Sequence, residues 1–386
     1  MVPNLRFPEF QGEWEKCKLG DICAFLSGGT PKIDIKEYWD GTIPFVSAIS
    51  MHNTYISDSN LHISEKGLKN GSKLLKKKNL LLLVRGSMLW KSIPVCLNES
   101  DVAFNQDVKG IIPNDTTNNK FLLYWLKSKE QRLKYMVTGT GLGAGKLDTN
   151  DLLSMSVYAP SMNEQDKIAK LLSLLDERIA TQNKIIEDLK KLKCAIIEKV
   201  YSEIQGKEYS YGQLFDVVNE RNKQMEYSNI LSASQEKGMV NRDDLNLDIQ
   251  FERSNINTYK IVKKGDYVIH LRSFQGGFAF SDKLGVCSPA YTILRPNSIL
   301  EYGYLSNYFT SQRFIKSLVL VTYGIRDGRS INVEELLRMK ITIPPKKHQQ
   351  YIVKVIGTFE RKIENEEAYA AQLSIQKQYL LRQMFV

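Results

Sequence analysis

The sequence predicts a mixed α/β (α+β) fold of two globular domains in tandem, each followed by a long helix. The first sign is internal repetition: shifted by 184 residues, TGTGLGAGKLDTNDLLSM at 138–155 falls without a gap on TYGIRDGRSINVEELLRM at 322–339. The register persists on both sides, with Tyr124-Trp125 on Tyr308-Phe309, Pro160 on Pro344, Gln165 on Gln349, Ile168 on Ile352 and Ile179 on Ile363. The second sign is that each copy ends in a long polar stretch whose apolar residues recur at helical spacing. The third is that short β-rich runs mix with helical ones ahead of each such stretch.

Taken in order, the strand candidates of the first copy are 42–48, 79–84 and 108–113, and the helix FLLYWLKSKEQRLKYMV follows at 121–137. In the second copy the strands are 259–271 and 290–296, with the corresponding helix YLSNYFTSQRFIKSLVL at 304–320. The boundaries that follow are 1–157 and 206–341 for the globular domains, with 158–205 and 342–386 for the long helices.

The first long helix has no Pro or Gly from Glu164 onward, and its apolar residues alternate in steps of four and three: Ile168, Leu172, Leu175, Ile179, Ile186, Leu189, Ile196 and Val200. That is a coiled-coil seam. The second copy repeats it with Ile352, Ile356, Phe359, Ile363, Ala370, Leu373, Leu380 and Met384. Polar residues interrupt both seams at the same places after the shift, Gln182 and Lys193 in one, Glu366 and Lys377 in the other. Polar seam residues cost stability but restrict register and partner, so the two helices are expected to pair with each other. At 1.5 Å per residue, roughly 40 residues make a rod about 60 Å long. The other reading is two amphipathic helices, each packed on its own domain.

With 386 residues and a hydrophobic fraction of 42%, the chain can build two cores. Lys and Arg outnumber Asp and Glu by 53 to 43, a net charge of +10, which favours a polyanionic partner. The excess is +4 over 1–157 and +3 over 206–341, while 158–205 is balanced, so the globular domains are the expected holders of a polyanion. Five cysteines without a CxxC pair read as core thiols of a protein in a reducing cytoplasm. The longest apolar run, LLLLV at 80–84, and the absence of an apolar leader predict no membrane passage.

Catalytic chemistry is hard to find. The Gly-rich loop at 138–147 invites comparison with a phosphate cradle, but Thr140 and Leu147 stand where a P-loop needs Gly and Ser or Thr. Gly139, Gly141 and Ala144 satisfy the loose dinucleotide pattern, yet a helical segment precedes them where that motif needs a strand. The second copy puts Arg326 and Arg329 in place of Leu142 and Gly145, changes a nucleotide cradle would not survive. The four histidines lie far apart, without zinc-ligand or triad spacing, and no methyltransferase or helicase tetrapeptide occurs. The expectation is therefore a chain with no catalytic, cofactor or metal residues, whose Gly-rich loop is a flexible connection facing nucleic acid or, more plainly, a solvent-exposed hinge.

What remains is a set of basic and amide residues on turns, suited to phosphates and base edges. In the first domain these are Thr30, Lys32, Lys77, Arg85, Lys91, Gln106, Lys109 and Lys146; in the second, Arg242, Arg272, Gln275, Arg326 and Arg329. A coiled-coil adaptor holding other proteins, and an enzyme using the Gly-rich loop with a nucleotide, are the competing readings.

The opening PNLRFPEFQGEWEKCKLGDI, then GGTP followed by EYWDGTIPFV, then FNQDVKGI, and the twice-used Leu-Leu-x-Met, Pro and Gln-x-x-Ile series resemble the specificity subunit of type I restriction-modification enzymes. The resemblance implies that the two helices pack antiparallel as a spacer and that each globular domain is a target-recognition domain reading one half of a split double-stranded DNA target. It implies a non-catalytic subunit on which methyltransferase subunits dock, two per chain, with restriction subunits joining the larger complex. S-adenosylmethionine and ATP would then sit on those partners. Two departures stand out: 344–349 reads PPKKHQ where a Glu-Gln pair like Glu164-Gln165 is expected, and the second domain has no GGTP.

Overall fold

The computed structural model describes every residue except 142, 235–236, 245–252, 271–276 and 324–329. It is mixed α/β and divides into two compact units, one of Met1–Asn183 with Ala368–Val386, the other of Lys184–Glu367. The long helices Met162–Ser202 and Lys346–Gln383 each contribute a part to both units.

In the first unit, the all-apolar run Leu80–Leu83 is buried on both faces, as a central strand must be. It sits in a five-stranded sheet ordered Cys23–Ser27, Val108–Pro113, Leu80–Leu83, Val95–Asn98 and Tyr55–Ile56. A four-stranded sheet beside it contains Ile43–Val46 and Val102–Phe104 as a parallel pair. Helix Asn119–Ser128 is capped by Asn118, whose Oδ1 accepts the Phe121 N–H at 2.9 Å, and six consecutive residues from Phe121 to Leu126 are buried. The sequence suggested one helix to 137. Lys129 instead leaves helical geometry (φ −93°, ψ 10°), closing this helix and opening a second, Glu130–Tyr135.

In the second unit, Phe215–Val218, Thr292–Pro296, Tyr267–Ile269 and Phe278–Phe280 form an antiparallel four-stranded sheet in that order. The run expected as one strand at 259–271 is two, Lys260–Val262 and Tyr267–Ile269, turning at Gly265 with φ +99°. The core is aromatic, with Phe278 stacked on Phe309 at 4.6 Å and Phe314 edge-on to Phe278 at 5.0 Å. The helix expected at 304–320 is mostly absent: turns fill 302–310, and regular helix runs only over Gln312–Ser317, followed by a 3-10 turn, Leu318–Val321. Competing hydrogen bonds explain this. The Tyr201 hydroxyl donates to the Tyr304 carbonyl, the Tyr267 hydroxyl accepts the Leu305 N–H at 3.2 Å, and Ser311 caps a fresh start at Phe314.

Each globular part closes the same way. A short helix, Thr149–Ser154 or Val333–Arg338, is capped by Asp148 or Asn332 and leads into a strand that pairs with the start of the domain. Ser156–Ala159 pairs with Glu15–Lys18, and Lys340–Ile343 with Lys207–Ser210.

Among the cysteines, Cys23, Cys96 and Cys287 are buried and burial pushes their thiols up to about 12, so these are core thiols. Cys17 is half-buried, and Cys194 is exposed on the first long helix, contrary to expectation. Among the described residues no helix is long and apolar enough to cross a membrane.

Candidate functional site

The first domain gathers its basic and amide turns around one end of the five-stranded sheet. Gly28 and Gly29 bring their loop hard against strand Val102–Phe104: a Cβ on Gly28 would lie 2.2 Å from the Phe104 carbonyl oxygen, which only glycine permits. The Gly29 N–H donates to that same oxygen at 3.0 Å. Thr30 is thereby set to donate its hydroxyl to Gln106 Oε1 at 2.7 Å, which engages the amide oxygen of an exposed side chain and not its N–H groups. Lys109 donates to Ser27 Oγ at 2.6 Å on the neighbouring strand. The loop 105–107 is stiffened by Asn105, whose Oδ1 accepts the Asp107 N–H, and the Asp107 carbonyl accepts the N–H groups of Val84 and Arg85 at 2.8 and 3.2 Å. Thr30, Gln106, Lys109 and Arg85 are therefore linked through one short loop.

The Gly-rich stretch is a β-hairpin, which corrects its reading as a flexible connection. Thr138–Gly139 pairs with Gly145–Lys146, which pairs in turn with Arg85–Gly86. The Thr140 N–H donates to the Ala144 carbonyl at 2.8 Å, and Gly143 takes φ +76° at the turn. Gly145 is buried against Val137 and Leu89. This pairing puts Lys146 directly opposite Arg85, both side chains exposed, with Asp148 3.8 Å from the Lys146 ammonium. Trp90 donates its indole N–H to the Gly143 carbonyl at 3.0 Å, so Lys91 lies beside the same hairpin. Lys32 is exposed two residues beyond Thr30.

Lys77 is not brought to this cluster. It occupies the turn before Leu80, its N–H on Asp101, whereas the cluster lies beyond Leu83. In the second domain Arg242 follows hairpin Leu231–Ser234 and Gly238–Asn241, half-buried, its N–H on the Ile230 carbonyl at 2.9 Å. Arg272, Gln275, Arg326 and Arg329 lie outside the described residues, as does Leu142. Among the described residues no group of three or more His, Cys, Asp or Glu is placed to hold a metal ion.

The long helices do two jobs. Ile168 and Leu172 are buried in the first domain's core, Ile352 and Ile356 in the second's, so this end of each predicted seam belongs to a domain. Farther along, the helices run antiparallel against each other inside each unit. In the first, Asp176 pairs with Lys377, and the Arg178 guanidinium stacks 5.5 Å over Tyr369. In the second, Lys193 pairs with Glu360 at 2.7 Å and Lys190 with Glu367 at 2.6 Å. Ile186, Ile363, Ala370 and Leu373 are buried, while Leu175, Ile179, Leu189, Phe359 and Leu380 are half-buried. Ile196 is half-buried and its neighbour Ile197 occupies the second core. The 184-residue shift converts Asp176–Lys377 into Glu360–Lys193, so two of the polar interruptions are one ion pair used twice.

A second repeated device, missed as a function in the sequence although Gln-x-x-Ile marked it, ties each helix to its domain. Gln165 Nε2 donates to the carbonyls of Pro160 and Thr116, and its Oε1 accepts the Asn118 N–H. Gln349 does the same with Pro344, Ile299 and Glu301.

In the first unit a cleft of about 1190 Å³ lies between the globular part and the helix pair, lined among others by Tyr55, Lys127, Asp176 and Lys377. Lys127 donates to Thr54 Oγ1 at 2.7 Å, and burial, reinforced by Lys377, pulls its pKa down to about 8. Below pH 8 this lysine is protonated in both states and the penalty for its buried charge is fully present. Between about 8 and the ordinary lysine value near 10.4 the unfolded chain binds the extra proton, so stability rises with pH. Over the same range the raised Cys23 and Cys96 thiols act the other way, because unfolded thiols ionise from about pH 8.5, so the Lys127 gain offsets part of their loss: Lys127→Met should make the urea midpoint of the first unit fall more steeply from pH 7.5 to 9.5 than in the wild type.

A family model described as "Type I restriction modification DNA specificity domain" matches residues 11–191 and again 206–374. The specificity subunit of the Escherichia coli type I restriction enzyme EcoR124I/EcoR124II is 29% identical over 209 residues, covering 54% of this chain and 48% of that protein. The MjaVIII specificity subunit of Methanocaldococcus jannaschii is 29% identical over 199 residues, covering 52% and 44%. The chain spans about half the length of the curated relatives it matches. The crystal structure of the type I restriction-modification S subunit from M. genitalium shares the fold, with a TM-score of 0.59, 16% identity and coverage of 100% and 99%. A structure from work on assembly and conformational transition of the type I system aligns at a TM-score of 0.58, with 14% identity and 97% of both chains covered.

Proposed function

The chain belongs to the type I restriction-modification DNA specificity family, and from that premise we propose that it is the non-catalytic subunit through which such a complex reads a split duplex target. Each target-recognition domain reads one half-site, with the long helices as the spacer between them. Two methyltransferase subunits dock on the chain and restriction subunits join through them, carrying the S-adenosylmethionine and ATP chemistry in the cytoplasm. The observation that carries this reading is the paired Arg85 and Lys146 beside an oriented Gln106, a face with cations for phosphates and an amide for a base edge.

The test is co-expression of the full chain with its methyltransferase subunit, followed by genome-wide methylation mapping and duplex titrations over a salt series. One interrupted motif should be methylated. Arg85→Ala and Lys146→Ala should each weaken specific and non-specific duplexes alike and reduce the salt slope by about 1, as expected for phosphate contacts. Methylation without a bipartite motif, or duplex binding indifferent to both cations, would remove the basis for this reading.

A further inference from the structure

Trp90 stands out among the four tryptophans. Trp14 and Trp125 are buried at 3% and 1% exposure and Trp39 is half-buried, but Trp90 leaves 52% of its surface open. An exposed indole presents a broad apolar face and leaves it open to pack against a partner. This ring is also held in place. Its N–H is spent on the Gly143 carbonyl, and its Cζ2 edge lies 3.9 Å from where a Cβ on Gly139 would stand, so it braces the first strand and the turn of the hairpin. The short turn Ser87–Trp90 follows directly from strand Arg85–Gly86, which fixes the ring relative to Arg85 and Lys146, and Lys91 comes next in the chain. A flat ring fixed on the hairpin that carries Lys146 fits a polyanion that also offers flat or apolar surface, and duplex DNA offers both in its sugars and base edges.

We propose that Trp90 is a specificity-determining residue of the first half-site, resting on the DNA-reading role above: its ring packs against the duplex while its N–H holds the hairpin that carries Lys146. Phosphate and sugar contacts orient a protein on DNA, whereas an apolar ring against base edges in a groove registers sequence and local shape. Trp90 therefore controls discrimination, and Arg85 and Lys146 control overall affinity.

The experiment uses the full chain in its complex with the methyltransferase subunit, labelled with 5-fluorotryptophan in this chain alone. Trp90→Phe assigns the Trp90 signal by its loss. Trp90→Ala should lower affinity for the specific duplex relative to the scrambled one roughly 5- to 150-fold, the range for losing recognition of one base pair, and leave the salt slope unchanged because a ring neutralises no phosphate and backbone pairing with Thr138 and Arg85 still holds Lys146. Trp90→Phe should fall between alanine and wild type, since it keeps a ring and loses the N–H. In the wild type, the specific duplex should shift the Trp90 fluorine signal and a scrambled duplex should not. Equal discrimination by Trp90→Ala and wild type, or a Trp90 signal indifferent to specific duplex, overturns the proposal. Wild-type complex that binds specific and scrambled duplexes equally overturns the DNA-reading role itself, and Trp90's with it.

Discussion

Replacing Lys377 with Met is expected to destabilise the first unit by about 3–5 kcal/mol, the cost of leaving one member of a buried ion pair without its partner. Asp176 and Lys377 retain only 11% and 15% of their side-chain exposure. With the ammonium gone, Asp176 keeps a single strong donor, the Tyr124 hydroxyl at 2.9 Å, and that hydroxyl already contacts Tyr55 at 3.0 Å. The repeat supplies the control. Lys193–Glu360 is the same pair after the shift, but its side chains are 22% and 42% exposed, so water can take over and Lys193→Met should cost about 1 kcal/mol or less. Urea unfolding followed by tryptophan emission reads the first unit, because Trp14 and Trp125 are both in its core, and hydrogen exchange of peptides from 184–367 over the same urea series reads the second, which holds Lys193 and Glu360. Equal costs for the two lysines would show that burial does not separate the copies. The double change Asp176→Leu with Lys377→Met should recover most of the loss, since apolar replacement of both members removes the stranded charge.

This asymmetry shows what the sequence could and could not express. The repeat, the helical spacing and the position of the polar interruptions were all readable, because periodicity and self-similarity are properties of the string. That Lys193 and Lys377 face carboxylates was not, because Asp176 and Glu360 lie outside the apolar pattern and become partners only through antiparallel packing. The same limit shortened the helix expected at 304–320. Its periodicity matches that of 121–137, yet Tyr201 and Tyr267, distant in sequence, divert the backbone groups of Tyr304 and Leu305. The candidate site divides similarly. Arg85 and Lys146 stand out singly by charge, and their direct opposition comes from a hairpin whose glycines suggest a loose loop. Ser27 and Trp90 carry no charge to mark them in the sequence, although one receives Lys109 and the other braces the hairpin.

Arg6→Met is expected to cost a further 3–5 kcal/mol in the first unit, and the reason explains a sequence departure between the copies. Glu164 retains 2% of its side-chain exposure, and Arg6 grips it with Nε on Oε1 at 2.7 Å and a terminal nitrogen on Oε2 at 2.8 Å. Trp14 adds its indole N–H to Oε1 at 3.2 Å. The chain ahead of the first strand is thus a strap over the start of the first long helix, fastened further by the Leu5 N–H on the Gln383 carbonyl. Removing Arg6 leaves a buried carboxylate with the indole as its remaining neutral donor, and the forked geometry means Arg6→Lys should recover only part of the loss. In the second copy no strap exists: the first long helix ends at Ser202 and the first strand begins at Lys207. The position equivalent to Glu164 is His348, and it is exposed. A carboxylate is kept where a guanidinium covers it and is absent where nothing does, so His348→Glu should change stability by no more than about 0.5 kcal/mol. A large loss at His348, read in the second unit by hydrogen exchange, together with a small one at Arg6, read in the first by tryptophan emission, would reverse this assignment of the strap.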